Sequence, residues 1–171
     1  MKRHILITAV PGAGKTTVIR RLAELAPRGT VGFYTEEIRL RGERRGFRLV
    51  GLEGTEAIIA HVDFAKTHRV GKYGVDVAAI DAAVDATLER RRGRRLYLID
   101  EIGKMECLSA RFVAAVNRLL DGSLPVIATV AKRGEGFISE VKQRADCELW
   151  TLTRENRDAM PAEILKRVVR E

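Results

Sequence analysis

Short apolar runs alternate along the chain with stretches in which apolar residues recur every three or four positions. The runs within residues 4–8 and 96–101 show no polar alternation, which is typical of strands buried on both faces of a parallel sheet. The intervening stretches have the spacing of amphipathic helices. Strands are predicted at 4–8, 31–38, 57–62, 96–101, 125–130 and 147–152, and helices at 18–25, 77–88, 110–120, 137–144 and 161–169. This alternation predicts an α/β fold in which helices cover a mostly parallel sheet, giving three layers.

A different pattern interrupts the alternation early in the chain. Residues 39–52 alternate apolar and charged positions around a glycine-centred turn, which is typical of a half-exposed β-hairpin. The run at 57–62 predicts a further short strand. We therefore expect an antiparallel β-rich insertion at 31–75, beside the parallel core. The whole of 1–171 is expected to form a single domain, since this length is sufficient to bury a core.

The first predicted strand leads into a glycine-rich loop that ends in Gly-Lys-Thr and opens a helix. Strand, loop and helix in this order are the context that a phosphate-binding loop requires. Glycines let the backbone turn its N–H groups towards a phosphate chain, and the helix N-terminus adds partial positive charge. The predicted contacts with a nucleotide come from Ala9, Val10, Pro11, Gly12, Ala13, Gly14, Lys15, Thr16 and Thr17.

Within this loop, Lys15 is expected on the β- and γ-phosphates and Thr16 on Mg²⁺. The usual first glycine of such a loop is Ala9 here. The added methyl group costs little at a residue with negative φ, so we expect it to be tolerated. The alternative is a glycine-rich turn with an incidental Lys-Thr pair.

The apolar run 96–99 ends in two carboxylates, Asp100 and Glu101. A buried central strand of this kind delivers its last side chain to the edge where the phosphate-binding loop lies. Asp100 is therefore expected to share Mg²⁺ with Thr16, and Glu101 to activate the attacking water. Gly103 would allow a sharp turn, and Lys104 would add positive charge beside the triphosphate. The alternative for Asp100 and Glu101 is a polar strand end or a helix cap.

For several other polar side chains the pattern leaves more than one role open. Thr129 ends a buried strand that is expected to lie between the loop strand and the Asp100 strand. It would contact the γ-phosphate or the water there, or it is an ordinary strand residue.

An arginine that stabilises transition-state charge is expected, and the sequence does not choose among Arg44, Arg45, Arg133, Arg144 and Arg157. The arginine cluster at 39–48 either contacts a nucleotide or polynucleotide, or is the solvated face of a hairpin. The basic run 90–95 is expected on the surface, at the opposite edge from the loop.

Composition narrows the class of protein. The hydrophobic fraction of 46% and the charged fraction of 32% are those of a soluble globular protein. No apolar run is long enough to cross a bilayer and no signal peptide is recognisable, so we expect a cytoplasmic protein with no membrane partner. Two isolated cysteines support neither a disulfide framework nor a zinc site. The net charge of +8 suits partners that carry phosphate.

Several stretches together resemble one family, the thermostable nucleoside-triphosphatases and their animal relative, the cancer-related nucleoside-triphosphatase. The matching stretches are 11–17, 32–37, 46–47, 99–106, 142–144 and 156–158. The resemblance implies a P-loop NTPase with a RecA-like sheet, and Mg²⁺-dependent hydrolysis of several nucleoside triphosphates to the diphosphate and phosphate. It also implies nucleotide contacts from the loop and from Ile99, Asp100, Glu101, Ile102, Gly103 and Lys104. One departure from the family is an Ala/Ile-rich stretch at 77–80, where relatives tend to have an aromatic residue.

Three functions fit these observations. The first is a Mg²⁺-dependent nucleoside-triphosphatase that accepts ATP, GTP, CTP and UTP with loose base selectivity. The second is a kinase that uses the same loop to phosphorylate a nucleotide, a nucleoside or an RNA end. The third is an RNA-binding module with a slow nucleotide switch, which the net charge favours and the aromatic content of 5% disfavours. A monomer is expected by default, because no coiled-coil pattern is present.

Overall fold

The computed structural model describes residues 2–169, in which helices cover both faces of one sheet. The strands are His4–Thr8 (β1), Thr30–Leu40 (β2), Glu43–Gly51 (β3), Glu56–His61 (β4), Arg69–Val70 (β5), Tyr73–Val75 (β6), Leu96–Ile102 (β7), Val126–Val130 (β8) and Cys147–Thr151 (β9). The α-helices are Lys15–Leu25 (α1), Val77–Thr87 (α2), Ala110–Leu120 (α3), Phe137–Lys142 (α4) and Met160–Val168 (α5). A short 3₁₀ helix, Glu106–Leu108, follows β7.

The strand order within the described residues is β5-β6-β4-β3-β2-β7-β8-β1-β9. The strands from β2 to β9 in this order pair in parallel, whereas β3, β4, β5 and β6 add an antiparallel wing to one side. The predicted mostly parallel sheet with an antiparallel addition is confirmed. So is the position of β8, which lies between β1 and β7 as the sequence predicted.

Alternate residues of the central strands face opposite layers of helices, because side chains of a strand alternate between the two faces of a sheet. Ile5 and Ile7 of β1 pack in the core beneath α1 and α5. Leu6, between them, packs in the core on the other face, which includes buried side chains of α2, α3 and α4. Burial on both faces explains why the central strands read as continuous apolar runs.

The antiparallel wing begins inside β2. Residues 30–33 pair in parallel with β7, and the same strand then continues in antiparallel pairing with β3. The antiparallel part therefore starts later than residue 31, where the sequence pattern placed it. At the tip of this hairpin, Arg41 and Gly42 have φ values of 52° and 78°, as a tight hairpin turn requires. Leu40 beside the turn is 61% exposed, so the tip projects from the sheet.

Helix boundaries follow the capping residues. Ser109 accepts a hydrogen bond from the Phe112 amide, and α3 covers the predicted range 110–120. Helix α1 begins three residues earlier than predicted, because left-handed Gly14 allows the chain to turn directly into the helix. Helix α4 ends at Lys142, two residues earlier than predicted.

The basic run 90–95 lies before the first residue of β7, at the edge of the sheet opposite the glycine-rich loop, as predicted. Arg91 and Arg94 form ion pairs there with Glu89 and Glu53. Across residues 2–169, every helix is too short or too polar to cross a bilayer.

Candidate active site

The loop between β1 and α1 has the geometry of an anion site. Gly12 and Gly14 have φ values of 78° and 101°, which side chains with a Cβ rarely adopt. Gly14 occupies the N-cap position without a side-chain cap, so the first amides of α1 are left for a ligand. Ala9 is buried, and among the non-glycine residues of 2–169 Arg41 alone has positive φ, so the alanine at this position is unstrained.

Asp100 lies at the end of β7, next to the loop. Its Oδ2 accepts hydrogen bonds from Thr16 Oγ1 at 2.7 Å and from the Thr35 amide at 3.4 Å. Its Oδ1 accepts one from Thr129 Oγ1 at 2.7 Å. The carboxyl is 2% exposed, and burial raises its pKa, while the Thr16 and Thr129 hydroxyls oppose that rise. The site thus holds a buried carboxyl whose hydrogen-bond partners are all neutral, beside the charge of Glu101.

Glu101 forms an ion pair with the loop lysine. Lys15 Nζ donates to Glu101 Oε2 at 2.7 Å, and the two side chains are 19% and 30% exposed. The structure therefore brings together the lysine expected on the phosphates and the carboxylate expected to activate water. The two residues are 86 positions apart in sequence.

Thr129 is fully buried and donates to Asp100 instead of facing the open site. It positions the carboxylate, which differs from the expected direct contact with phosphate or water. Ile99 and Ile102 are also fully buried, within the core on the α2 and α3 face. Only their backbone groups are left for the nucleotide contact that the resemblance implied.

A cavity of about 260 Å³ lies beside Glu101, and we call it the side cavity. Its lining includes Thr35, Phe47, Val70, Glu101, Lys104, Glu106 and Arg133. None of the loop residues 9–17 lines it. Glu101 therefore stands between the loop, which it contacts through Lys15, and the side cavity.

Glu106 is a site residue that the sequence analysis did not select. Its carboxyl is 5% exposed, and burial raises its pKa to about 8, with the charge of Glu101 adding to the rise. A Cβ on Gly103 would lie 2.8 Å from Glu101 Oε1 and 2.9 Å from Glu106 Oε2. The two carboxyls therefore flank Gly103 closely. Glu106 lay in a stretch that carried the family resemblance, and this was the only signal for it.

The five candidate arginines fall in different places. Arg133 lines the side cavity, and Arg157 lies against the start of α1, with its Cδ 4.0 Å from where a Gly14 Cβ would be. Arg44 pairs with Glu37 at 2.5 Å and Arg45 with Asp63 at 3.4 Å, both on the wing. Arg144 forms ion pairs with Asp121 and Asp146, just before β9 begins. That position is at the sheet edge opposite the loop, so the expectation that Arg144 could reach the phosphates is corrected.

Lys142 is a second residue that the sequence analysis did not select. Its Nζ donates to the Lys132 carbonyl at 2.8 Å. Partial burial lowers its pKa, and the nearby charge of Lys15 lowers it further. Lys142 therefore adds positive potential to the region in which the phosphates are expected.

Known proteins resemble the chain over nearly its whole length. The profile of a family described as NTPase matches residues 4–165. Nucleoside-triphosphatase THEP1 of Thermotoga sp. strain RQ2 is 41% identical over 162 residues, which cover 94% of this chain and 92% of that protein. The cancer-related nucleoside-triphosphatase of Homo sapiens is 34% identical over 182 residues, covering 96% of each.

The structures agree with the sequences. The crystal structure of THEP1 from the hyperthermophile Aquifex aeolicus superposes with a TM-score of 0.89 at 35% identity, over 98% of this chain and 99% of that chain. The solution structure of the human cancer-related nucleoside triphosphatase superposes with a TM-score of 0.82. Both the predicted fold class and the resemblance are thereby confirmed. The chain belongs to the NTPase family that includes THEP1 and the cancer-related nucleoside-triphosphatases.

Proposed function

We propose that the protein is a Mg²⁺-dependent nucleoside-triphosphatase that converts ATP, GTP, CTP and UTP to the diphosphate and phosphate. One observation carries the proposal: the glycine-rich loop meets the end of β7 in two close contacts, Lys15 with Glu101 and Thr16 with Asp100, each at 2.7 Å. A cation, a hydroxyl and two carboxylates at the N-terminus of a helix are the groups that phosphoryl transfer to water requires.

The loop and α1 would hold the phosphates. The free amides at the start of α1 and the glycine-rich turn supply N–H donors, and the helix adds partial positive charge. Lys15 then neutralises the β- and γ-phosphates. A triphosphate carries more charge than one carboxylate, so it competes successfully with Glu101 for the Lys15 ammonium.

Thr16 and Asp100 would hold Mg²⁺. Their donor atoms are oxygens, which Mg²⁺ prefers, and they already lie 2.7 Å apart. Asp100 is buried with only neutral hydrogen-bond partners, so a cation fits beside it. When bound, Mg²⁺ neutralises charge on the phosphate oxygens. Thr129 and the Thr35 amide keep the carboxylate in place.

Glu101 would take the proton of the attacking water. When Lys15 turns to the phosphates, the Glu101 carboxylate leaves its ion pair, and its oxygens are then available to accept a proton from the attacking water. Arg133 and Arg157 lie nearest to the loop and Glu101 among the candidate arginines, and Lys142 adds a third cation. These three are our candidates for stabilising transition-state charge.

Base selectivity is proposed to be loose. The two cavities that adjoin the loop are open to solvent, and exposed charged side chains such as Arg154, Glu155 and Asp158 line them. Strong selection of one base requires buried hydrogen-bond donors and acceptors that match that base. A preference of roughly a hundredfold for one base would contradict this proposal.

The test is phosphate release from ATP, GTP, CTP and UTP with Mg²⁺ or with a chelator. Glu101→Gln should lower kcat by about a hundredfold or more, because it removes the base. It should leave nucleotide affinity equal or higher, because it removes the competitor for Lys15. The matched control is Glu163→Gln, an exposed glutamate on α5, which should leave both unchanged. Undiminished turnover in Glu101→Gln would refute the role of Glu101, and release without Mg²⁺ would refute the metal.

A further inference from the structure

The side cavity is larger than hydrolysis requires. One water molecule occupies roughly 30 Å³ of liquid, and hydrolysis needs one such molecule beside Glu101. The side cavity measures about 260 Å³, just below the range of roughly 300–1,000 Å³ that is common for small-molecule sites. Its space therefore suits a compact organic molecule.

The position of the side cavity suits a second substrate. Glu101 lines it and also contacts Lys15, whereas none of the residues 9–17 lines it. A molecule in the side cavity would therefore approach Glu101 from the side away from the phosphate-binding loop. With the phosphates held by the loop and Lys15 as proposed, this is the side from which a nucleophile would displace the diphosphate in line.

The lining specifies the chemistry of the occupant. Lys104 and Arg133 are exposed, and neither forms an ion pair with any residue of the described range 2–169. Phe47 and Val70 supply apolar wall, and Phe47 is held edge-on against Tyr73. Two cations without ion-pair partners in the described range, beside an apolar wall, favour an organic anion.

The deepest polar group of the side cavity is Glu106. It is more than nine-tenths buried, and no cation of the described residues pairs with it. Its carboxyl lies across Gly103 from that of Glu101. Backbone amides of Gly103 and Glu106 contact this carboxyl. A hydroxyl group bound beside it would add a further hydrogen bond, because a hydroxyl can donate to one carboxyl and accept from the other.

We propose that the side cavity binds a small organic anion that carries a hydroxyl group, and that the protein transfers the γ-phosphoryl group of a nucleoside triphosphate to that hydroxyl. A bond forms between the hydroxyl oxygen and the γ-phosphorus. The bond from the γ-phosphorus to the β,γ-bridging oxygen breaks, and the nucleoside diphosphate leaves with the electron pair. The hydroxyl proton passes to the Glu101 carboxylate. Hydrolysis is the same step with water in the side cavity, so this inference rests on the proposed function.

The first experiment follows γ-labelled ATP with Mg²⁺ in the presence of candidate acceptors. The arms are sugar phosphates, nucleoside monophosphates and hydroxycarboxylates, each beside its uncharged counterpart: the free sugar, the nucleoside or a polyol. We expect label in one anionic acceptor at least tenfold above the label in its uncharged counterpart. The arm that is labelled distinguishes a phosphate monoester from a carboxylate as the anionic group.

The second experiment fills the side cavity. Val70→Phe should shift the partition of label from acceptor to free phosphate at least tenfold, and Arg133→Gln should raise the KM of the anionic acceptor. The control is Ile58→Phe, a half-exposed β4 position that does not line the side cavity, and it should leave the partition unchanged.

Three results would overturn this inference. One is label that appears solely as free phosphate in every arm, and another is a partition that is the same in Val70→Phe and in the unmodified protein. Transfer solely to an RNA end would also overturn it, because that acceptor is a macromolecule. These results leave the hydrolytic function standing. The absence of any label release, with or without acceptor, would instead refute the proposed function itself.

Discussion

At the scale of single residues, the missing side chain of Gly103 leaves room for the carboxyls of Glu101 and Glu106. It is buried, and an added Cβ would come within 3.0 Å of the Glu101 and Glu106 side chains. Both contacts involve the ends of flexible side chains, so the fold can adjust at small cost. The Glu101 carboxylate, however, must move away from its position beside Lys15.

We therefore expect Gly103→Ala to fold and to lose activity. Its kcat should fall at least about tenfold, since small displacements of a base are costly for proton transfer. Steady-state phosphate release and urea unfolding would be measured on the same preparation. A variant with full turnover would show that Glu101 does not depend on this space.

Glu106 should make stability depend on pH. Its pKa is about 8 in the folded chain, against an ordinary value of 4.5 for a glutamate exposed to water, because burial favours the neutral form. Between these values the folded state binds one more proton than the unfolded state, so the free energy of unfolding falls as pH rises. The slope reaches about 1.4 kcal/mol per pH unit.

Glu106→Gln replaces the neutral acid by an uncharged amide and should flatten this slope from pH 5 to 8. Urea unfolding of nucleotide-free protein at four pH values would measure it. Glu163→Gln, at an exposed position, should keep the slope of the unmodified protein. Parallel slopes in all three proteins would mean that Glu106 is ionised throughout.

At the scale of elements, the seam between β2 and β7 joins the antiparallel wing to the parallel core. Gly32 lies opposite Leu98 in this seam with a φ of 122°, and a Cβ there would lie 1.8 Å from the Leu98 carbonyl oxygen. That contact is with backbone, which cannot move without parting the strands. Beyond this seam, β2 places the Thr35 amide where it donates a hydrogen bond to Asp100 of β7.

Gly32→Ala should destabilise the protein by about 3 kcal/mol or more, through overpacking and an unfavourable φ. It should also abolish turnover, because β2 carries the Thr35 amide that holds Asp100, the proposed Mg²⁺ ligand. The matched control is Gly93→Ala, with a φ of 84° and no atom within 4 Å of the added Cβ. It should cost about 1–2 kcal/mol and leave turnover intact. If the two substitutions lowered the urea unfolding midpoint by the same amount, that result would argue against close packing of the seam.

The elements that the sequence predicted are those whose pattern is local. Helix α3 is an example, because Ser109 and the apolar spacing of 110–120 specify it without outside contacts. Strands β5 and β6 have two and three residues, too few to show any periodicity. They form because β6 pairs with β4, and this contact between separate elements leaves no local pattern in the sequence.

The same distinction applies to the site. The loop and the Asp100–Glu101 pair could be predicted, because their chemistry depends on neighbours in sequence. The ion pair between Lys15 and Glu101 and the burial of Glu106 depend on which elements meet, so sequence spacing did not reveal them. The position of Arg144 could also be predicted, because it precedes the predicted strand 147–152, and in a mostly parallel sheet the beginnings of strands lie at the edge opposite the loop.

At the scale of the whole molecule, the phosphate-binding loop depends on strands that are distant in sequence. β1 lies between β8 and β9, and the His4 side chain accepts a hydrogen bond from the Val126 amide, 122 residues away. The wing, by contrast, is built almost wholly from neighbours in sequence. The part of the fold that carries the chemistry is therefore the part with the longest-range contacts.

This strand order has a consequence for biosynthesis. Of the strands in residues 2–169, the ribosome makes β1 first, whereas both strands that pair with β1 are among the last. At roughly 5–20 residues per second, Ile5, Leu6 and Ile7 are made about six to thirty seconds before their neighbours in the sheet. The wing can form on the nascent chain during that time, whereas the strand before the glycine-rich loop has no neighbours in the sheet until β8 and β9 have been made. Nucleotide binding therefore stabilises the fold only after β8 and β9 have paired with β1.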